Sequence, residues 1–317
     1  MEYLLLLIGF ALLIKGADYF VEGASGIAKL LRVPPILIGL TIVAFGTSSP
    51  EAAVSIRAAL NGSNGIALGN VVGSNIFNIS LIIGITAMIN PLQVERETVR
   101  KEIPFTLLSS ILLLILVSDT LLQGFVTNQI TRGDGFVLGC FFLIFMFYLL
   151  EVALHSREKD EDLTAFCPKT MGKNVVFTVG GLAAIIFGGE LVVGSSTTIA
   201  RTLGMSETMI GLTIVAVGTS LPELMTSVTA AIKKQSEIAV GNIVGSNIFN
   251  ILFVLGISSA VYPIKVDPKI FFDIKLMILY MTILLVFSRS HHRISRKEGF
   301  ILLMSYVFYG VYVVLRG

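Results

Sequence analysis

The chain has 317 residues, 54% of them hydrophobic and 14% charged, with a formal net charge of +2. Soluble domains carry about 25% charged residues, and the mean hydropathy here is +0.87. This excludes a large soluble globule and points to a polytopic membrane protein. The small net charge gives no ground for a nucleic-acid partner, and none is expected. Cys140 lies in an apolar run and Cys167 in a polar loop. Two such cysteines make neither a disulfide framework nor a metal-ligand spacing.

In chain order, Glu2 is followed by an apolar run from Tyr3 to Ile14. It lacks a basic leader and a small-residue cleavage site, so it reads as an uncleaved first span. Ten apolar segments follow one another, roughly 3–28, 35–59, 66–90, 103–122, 134–154, 174–199, 206–231, 238–262, 270–288 and 298–315. Each is near the ~20 residues that cross a bilayer as a helix. The longest polar stretch, 155–173, separates the fifth from the sixth. It divides the chain into 1–154 and 174–317, two halves of five spans. Five is odd, so the second half enters the membrane from the opposite side. The expected fold is an all-α polytopic membrane protein of ten transmembrane helices in two inverted-topology repeats, an architecture of secondary transporters.

Loops after the odd-numbered spans hold fifteen of the twenty-three Lys and Arg residues, among them Lys29, Arg100, Lys101, Lys173, Lys233 and Arg289. The positive-inside rule then puts the 155–173 linker in the cytoplasm and both termini outside the cell membrane.

The halves are duplicated in detail. Ile38–Glu51 reads IGLTIVAFGTSSPE and Ile210–Glu223 reads IGLTIVAVGTSLPE, identical at twelve of fourteen positions. Gly69–Ile79 and Gly241–Ile251, GNVVGSNIFNI and GNIVGSNIFNI, match at ten of eleven. Both pairs are offset by 172 residues. The first motif breaks a helix inside an apolar span. Pro50 and Pro222 cannot donate to the carbonyls of Gly46 and Gly218. Thr47, Ser48, Thr219 and Ser220 place hydroxyls at the break, and Glu51 and Glu223 a carboxylate one residue after each proline. Broken helices at corresponding positions of two repeats point to a transport site.

A carboxylate in hydrocarbon costs at least ~2.5–3.5 kcal/mol on insertion scales and normally faces a cavity and a partner. Lys15 and Arg57 are the only basic residues near the interior of the first three spans, and the second half has none between Arg201 and Lys233. The natural counter-charge for Glu51 and Glu223 is a bound cation. An all-oxygen set suits a hard cation such as Ca²⁺, and the absence of His or Cys beside the motifs argues against zinc or copper.

In the second motif, glycines four apart can serve close helix packing. That leaves Ser74 with Asn78, and Ser246 with Asn250, each pair on one helix face. For Asn78 and Asn250 ion contact is the favoured reading over interhelical hydrogen bonding. For Asn70, Asn75, Asn242 and Asn247 the preference reverses. Asp18 and Glu190 stand between lining an ion path and capping a helix end.

On these paired motifs the chain strongly resembles the Na⁺/Ca²⁺ exchanger branch of the cation/Ca²⁺ antiporter superfamily. The resemblance implies that Glu51 and Glu223 ligate Ca²⁺, joined by backbone oxygens of Thr47 and Thr219. It implies flanking Na⁺ sites from Ala44, Thr47, Ser48 and Ser74, and from Ala216, Thr219, Ser220 and Ser246. It also implies alternating access, with the first and sixth spans sliding across the rest. One position departs: many members carry Asp where this chain has Asn250, so two carboxylates face the ions rather than three. Two charges balance one Ca²⁺ or two Na⁺.

Na⁺/Ca²⁺ antiport, with the ions as cargo, no cofactor, and a single chain sufficient for transport, is the leading expectation. A Ca²⁺/H⁺ antiporter using the same glutamates is the alternative, since burial favours a protonated carboxyl when no cation is bound. An intramembrane hydrolase with Ser48 or Ser220 as nucleophile fails for want of a histidine base in any span, and no enzymatic activity is expected. A passive channel is disfavoured by the inverted repeat.

Overall fold

The computed structural model describes residues 2–62, 64–158, 168–204, 216–290 and 292–316. Its helices follow the apolar segments closely. They are α1 (Glu2–Leu31), α2 (Pro35–Thr47), α3 (Ser49–Leu60), α4 (Gly65–Ile89), α5 (Glu102–Leu116), α6 (Arg132–Glu158), α7 (Pro168–Thr202), α8 (Leu221–Ile232), α9 (Ser236–Val261), α10 (Ile270–Arg289) and α11 (Arg296–Arg316).

Among the described residues, seven helices are long and apolar enough to cross a membrane, and eight if the bent pair α2–α3 is one span. The expected ten differ for two reasons. The fourth, expected over 103–122, ends at Leu116, and its fifteen residues rise only about 22 Å at 1.5 Å each. The chain then turns at Ser118, because Asp119 is buried as acceptor for the Gln129 amide (2.9 Å) and the Gln123 side chain (2.9 Å). The seventh, expected over 206–231, falls largely on residues 205–215, outside the described residues. Helix extends into the polar 155–173 stretch from both sides: α6 continues to Glu158 and α7 begins at Pro168.

Among the described residues the regular structure is otherwise helical, apart from four two-residue strands in the loops: β1 (Leu92–Gln93), β2 (Gln129–Ile130), β3 (Ile264–Lys265) and β4 (Arg293–Ile294). They pair antiparallel as β1 with β4 and β2 with β3, in register Leu92 to Ile294 and Ile130 to Ile264. Each pair joins one half of the chain to the other.

Burial sets the order of helices from the centre outward. In the most apolar stretch of α9, 94% of residues are buried; in α11 only 11% are. Exposed Leu143, Phe147, Val176 and Phe308 form part of the apolar outer surface, as a lipid-facing shell requires.

Small residues let the central elements touch backbone to backbone. A Cβ on Gly16 would lie 2.9 Å from the Gly181 carbonyl oxygen, and one on Gly188 2.8 Å from that of Gly9. Gly9 thus meets Gly188 and Gly16 meets Gly181, so α1 and α7 run antiparallel. A Cβ on Gly241 would sit 2.7 Å from Ile36 O, and one on Gly245 2.7 Å from Leu40 O, seating the first half of α2 on α9. Their repeat mates Gly69 and Gly73 meet nothing described; the counterparts of Ile36 and Leu40, Thr208 and Leu212, lie outside the described residues.

The halves also exchange their last helices. Gly84 of α4 abuts Gly299 of α11, and Gly256 of α9 abuts Gly135 of α6. The Arg296 guanidinium donates to Ile89 O, and that of Arg132 to Val261 O, each at 3.4 Å. Neither half packs as a unit apart from the other.

These contacts predict a contrast. Overpacking costs about 1–3 kcal/mol, so Gly16→Val should lower the melting temperature of detergent-purified protein by several degrees. Gly310→Ala, with nothing within 4 Å of its Cβ, should leave it unchanged or raise it, as Ala is the better helix former. Equal melting temperatures for the two variants would contradict the close α1–α7 contact.

Candidate ion-binding site

The site forms where the two repeated breaks meet. Between α2 and α3 the axis turns by 49° at Ser48, which sits at φ −82°, ψ 7°. Pro50 occupies the first turn of α3, and Glu51 follows it. Before the break, Gly39–Val43 forms a π-helical turn. Ser220 repeats this conformation at φ −92°, ψ 7°, with Pro222 and Glu223 in the first turn of α8. Proline is tolerated there because its missing N–H is one the first turn leaves unused. A helix N-terminus also favours a negative charge in its first turn.

The repeats cross-link through their acids. Ser48 Oγ donates to Glu223 Oε1 at 2.7 Å, and Ser220 Oγ donates to Glu51 Oε1 at 2.8 Å. Ser220 Oγ also lies 3.2 Å from Ser74 Oγ. Glu51 and Glu223 are 0% and 1% exposed, and each leaves its other oxygen, Oε2, buried without a partner. Neither forms an ion pair with any described residue. Lys15 and Arg57 are exposed, so the expectation that no basic side chain neutralises these acids holds for both.

Other oxygens are left in the same condition. Asn78 Oδ1, Asn250 Oδ1, Ser246 Oγ and Thr219 Oγ1 are buried and unpartnered. Buried polar atoms in folded proteins are nearly always satisfied, so unpartnered oxygens on the duplicated motifs are free to accept a further contact. No cluster of three or more His, Cys, Asp or Glu occurs among the described residues; the set is two carboxylates supplemented by neutral oxygens. Ala44 is fully buried and supports the Gly245 approach, its Cβ being 2.8 Å from where a Cβ on Gly245 would stand. The Ala216 side chain lies outside the described residues.

Thr47 Oγ1 donates to Asn242 Oδ1 at 3.0 Å. Asn242 Nδ2 in turn donates to Ser227 Oγ at 2.9 Å and to the Glu223 carbonyl at 3.4 Å. In the first half Asn70 Nδ2 donates to Ser55 Oγ at 2.9 Å and to Glu51 O at 3.3 Å. The preference for hydrogen bonding at Asn70 and Asn242 is met. Ser55 and Ser227, which the sequence reading did not single out, are the acceptors for these two amides. Their signal was present: each follows its glutamate by four residues, on the same helix face.

Asp18 and Glu190 cap no helix end, since both lie mid-helix in α1 and α7. Asp18 Oδ1 pairs with Lys233 Nζ at 2.6 Å. Glu190 is exposed.

A family model described as "Sodium/calcium exchanger protein" matches residues 1–151 and 173–315. The chain belongs to the sodium/calcium exchanger family. It is therefore a multi-pass membrane protein of an exchanger family. It is 39% identical over 315 residues to the putative antiporter CaxA of Alkalimonas amylolytica, covering 96% of this chain and 95% of the relative. It is 36% identical over 339 residues to the sodium/calcium exchanger MaX1 of Methanosarcina acetivorans, covering 96% of each. The solved structure of the sodium-calcium exchanger NCX_Mj soaked with 2.5 mM Na⁺ and 1 mM Sr²⁺ superposes with a TM-score of 0.86 at 30% identity, covering 97% of each chain.

The buried networks differ between halves: Asn242 is 0% exposed, whereas Asn70 is only half-buried. Stranding a buried polar group costs about 1–3 kcal/mol. Asn242→Ala, which removes a partner from Thr47, Ser227 and the Glu223 carbonyl together, should lower the melting temperature more than Asn70→Ala does. The comparison needs only thermal unfolding of the two purified variants, and the reverse order would refute the network's asymmetry.

Proposed function

We propose that this protein is a secondary active antiporter that exchanges Na⁺ for Ca²⁺ across the cell membrane by alternating access. The observation that carries the reading is the pair of buried carboxylates, each tied to the other repeat's serine and each left with a bare oxygen and no basic partner. Glu51 and Glu223 are the direct Ca²⁺ ligands, completed by backbone oxygens of Thr47 and Thr219. Ala44, Thr47, Ser48 and Ser74, with Ala216, Thr219, Ser220 and Ser246, form flanking Na⁺ sites. Asn78 and Asn250 offer amide oxygens to the same space.

Two carboxylates balance one Ca²⁺ or two Na⁺, so alternative loads of equal charge can occupy one cavity. Family membership and the relatives named as sodium/calcium exchangers favour Na⁺ over the proton as coupling ion. Chemistry supports this too: the amide oxygens can ligate a cation but do not carry a proton at physiological pH.

The architecture that goes with this mechanism is ten spans in two inverted repeats, 1–154 and 174–317. The 155–173 linker is cytoplasmic and both termini are outside. The antiparallel first helices of the two halves, α1 and α7, support inversion.

Two measurements test the reading. Counterflux of ²²Na⁺ and ⁴⁵Ca²⁺ in proteoliposomes at clamped pH should show Ca²⁺ movement that requires a Na⁺ gradient. Glu51→Gln and Glu223→Gln should each abolish it while leaving the protein folded. Ca²⁺ flux driven by a pH gradient alone, or near-normal ⁴⁵Ca²⁺ uptake by either variant, would defeat the assignment. For orientation, a cysteine introduced at Lys169 in an otherwise cysteine-free background should be protected from impermeant thiol reagents in intact cells and react once the membrane is opened. Labelling in intact cells would invert the topology.

A further inference from the structure

Two asparagines in the repeated motif do not line up with the orphaned oxygens, yet they are as buried as those that do. Asn75 is 0% and Asn247 1% exposed, beside Asn78 at 1% and Asn250 at 0%. Their bonds cross between the halves. Asn250 Nδ2 donates to Asn75 Oδ1 at 3.3 Å, and Asn78 Nδ2 donates to Asn247 Oδ1 at 3.1 Å. Asn75 Nδ2 donates to the Asn247 carbonyl at 3.3 Å. On the Asn78 and Asn250 amides, the nitrogen is engaged and the oxygen is the buried, unpartnered atom.

From this pattern we propose that Asn75 and Asn247 are positioning residues that lock the amides of Asn250 and Asn78 with their oxygens turned toward the transported cation. The proposal rests on the ion site described above and assigns the control of two of its ligands. A primary amide has a donor end and an acceptor end, and a half-turn about its last side-chain bond exchanges them. An amide turned the wrong way offers N–H groups to a cation and repels it. Each lock presents an acceptor oxygen to the amide it holds, which selects the orientation with nitrogen toward the lock and oxygen toward the site; the selection is firmer on the Asn250 arm, because Asn247 Nδ2 is buried without a partner. Asn75 is itself fixed by its bond to a main-chain carbonyl, so the Asn250 arm is anchored to backbone.

The same geometry has a consequence for charge. An acceptor oxygen facing position 250 calls for a donor there. An ionised carboxylate has none. The Asn75 lock therefore suits a neutral ligand at position 250, and the Asn247 lock one at position 78. Both keep the site at the two charges of Glu51 and Glu223.

The test is a double-mutant cycle read as Ca²⁺ affinity, from Ca²⁺-induced shifts of the melting temperature in detergent. In the parent protein, Asn75→Ala should weaken apparent Ca²⁺ affinity about tenfold, the scale of one lost buried hydrogen bond. In an Asn250→Ala background no amide remains to orient, and the same change should alter affinity by less than about twofold. An equal loss in both backgrounds would show that Asn75 acts only as general packing. An unchanged affinity for Asn75→Ala would show that the amide needs no lock. Either result overturns the proposal. If Asn75→Ala does not yield folded protein, the cycle of Asn247→Ala with Asn78→Ala decides by the same criteria on the other arm. Failure of the parent protein to bind Ca²⁺ would instead overturn the functional reading beneath it, before any variant is compared.

Discussion

The structure depends on two carboxylates that are buried without a counter-charge. An ionised group in hydrocarbon is costly, and a buried charge persists only where it is paired, hydrogen-bonded or coordinating. Here each acid receives one hydroxyl bond, from the serine at the other repeat's helix break. The second oxygen of each is bare. Neutral hydroxyls lower the cost without cancelling the charge. A basic side chain in their place would hold the acids permanently and leave nothing for a mobile ion to do. The arrangement leaves one oxygen of each acid open to a further partner.

That crossed bonding explains why the halves are interlocked rather than packed as two blocks. The Ser48–Glu223 and Ser220–Glu51 bonds are equivalent under the 172-residue offset, so one set of contacts serves twice. The outer parts follow the same logic, with the last helix of each half lying on the other half's motif helix and a strand pair beside it. Departures from the symmetry are local. Lys233 pairs with Asp18, and Ser25 donates to Gln235 at 2.5 Å. The positions equivalent to Lys233 and Asp18 are Asn61 and Glu190, both exposed. Thus α1 is bound to the loop of the opposite half by contacts that α7 does not repeat among the described residues. A pseudo-symmetric transporter needs such differences for its two access states to have unequal energies, since a ligand or contact shifts an equilibrium only by its differential interaction.

Much of this was legible in the sequence because the membrane enforces it. Apolar length predicted the spans to within a few residues at α4, α9, α10 and α11, since backbone groups in lipid must be satisfied within the helix. The break at Ser48 was legible because Pro50 has no alternative behaviour there. The fourth span was overdrawn because hydropathy continues through Leu121 and Leu122, whereas the chain turns to bury Asp119. That turn is a tertiary hydrogen-bonding choice, invisible to composition. Asn75 and Asn247 make the interhelical bonds preferred for them, and Asn78 and Asn250 are the partners in those bonds. What the sequence could not give was their partners: the bonds run between positions 169 and 175 residues apart, and only the folded crossing of α4 and α9 brings them within reach.

The two kinds of oxygen in the site do different work. Carboxylates fix the total charge the cavity accepts, while amides and hydroxyls add ligands without changing it. At an effective dielectric near 20, unit charges ~4 Å apart interact by about 4 kcal/mol, so adding or removing one carboxylate changes which load is tolerated far more than moving a neutral ligand does. Ca²⁺ takes six to eight oxygens, more than two glutamates supply. Neutral oxygens must therefore make up the shell, and their orientation must be held while ions come and go. An exchanger needs its site to be empty part of the time without collapsing. On the proposal made above, tying the amide nitrogens of Asn78 and Asn250 across the helix crossing would give their oxygens a direction that does not depend on the ion being present.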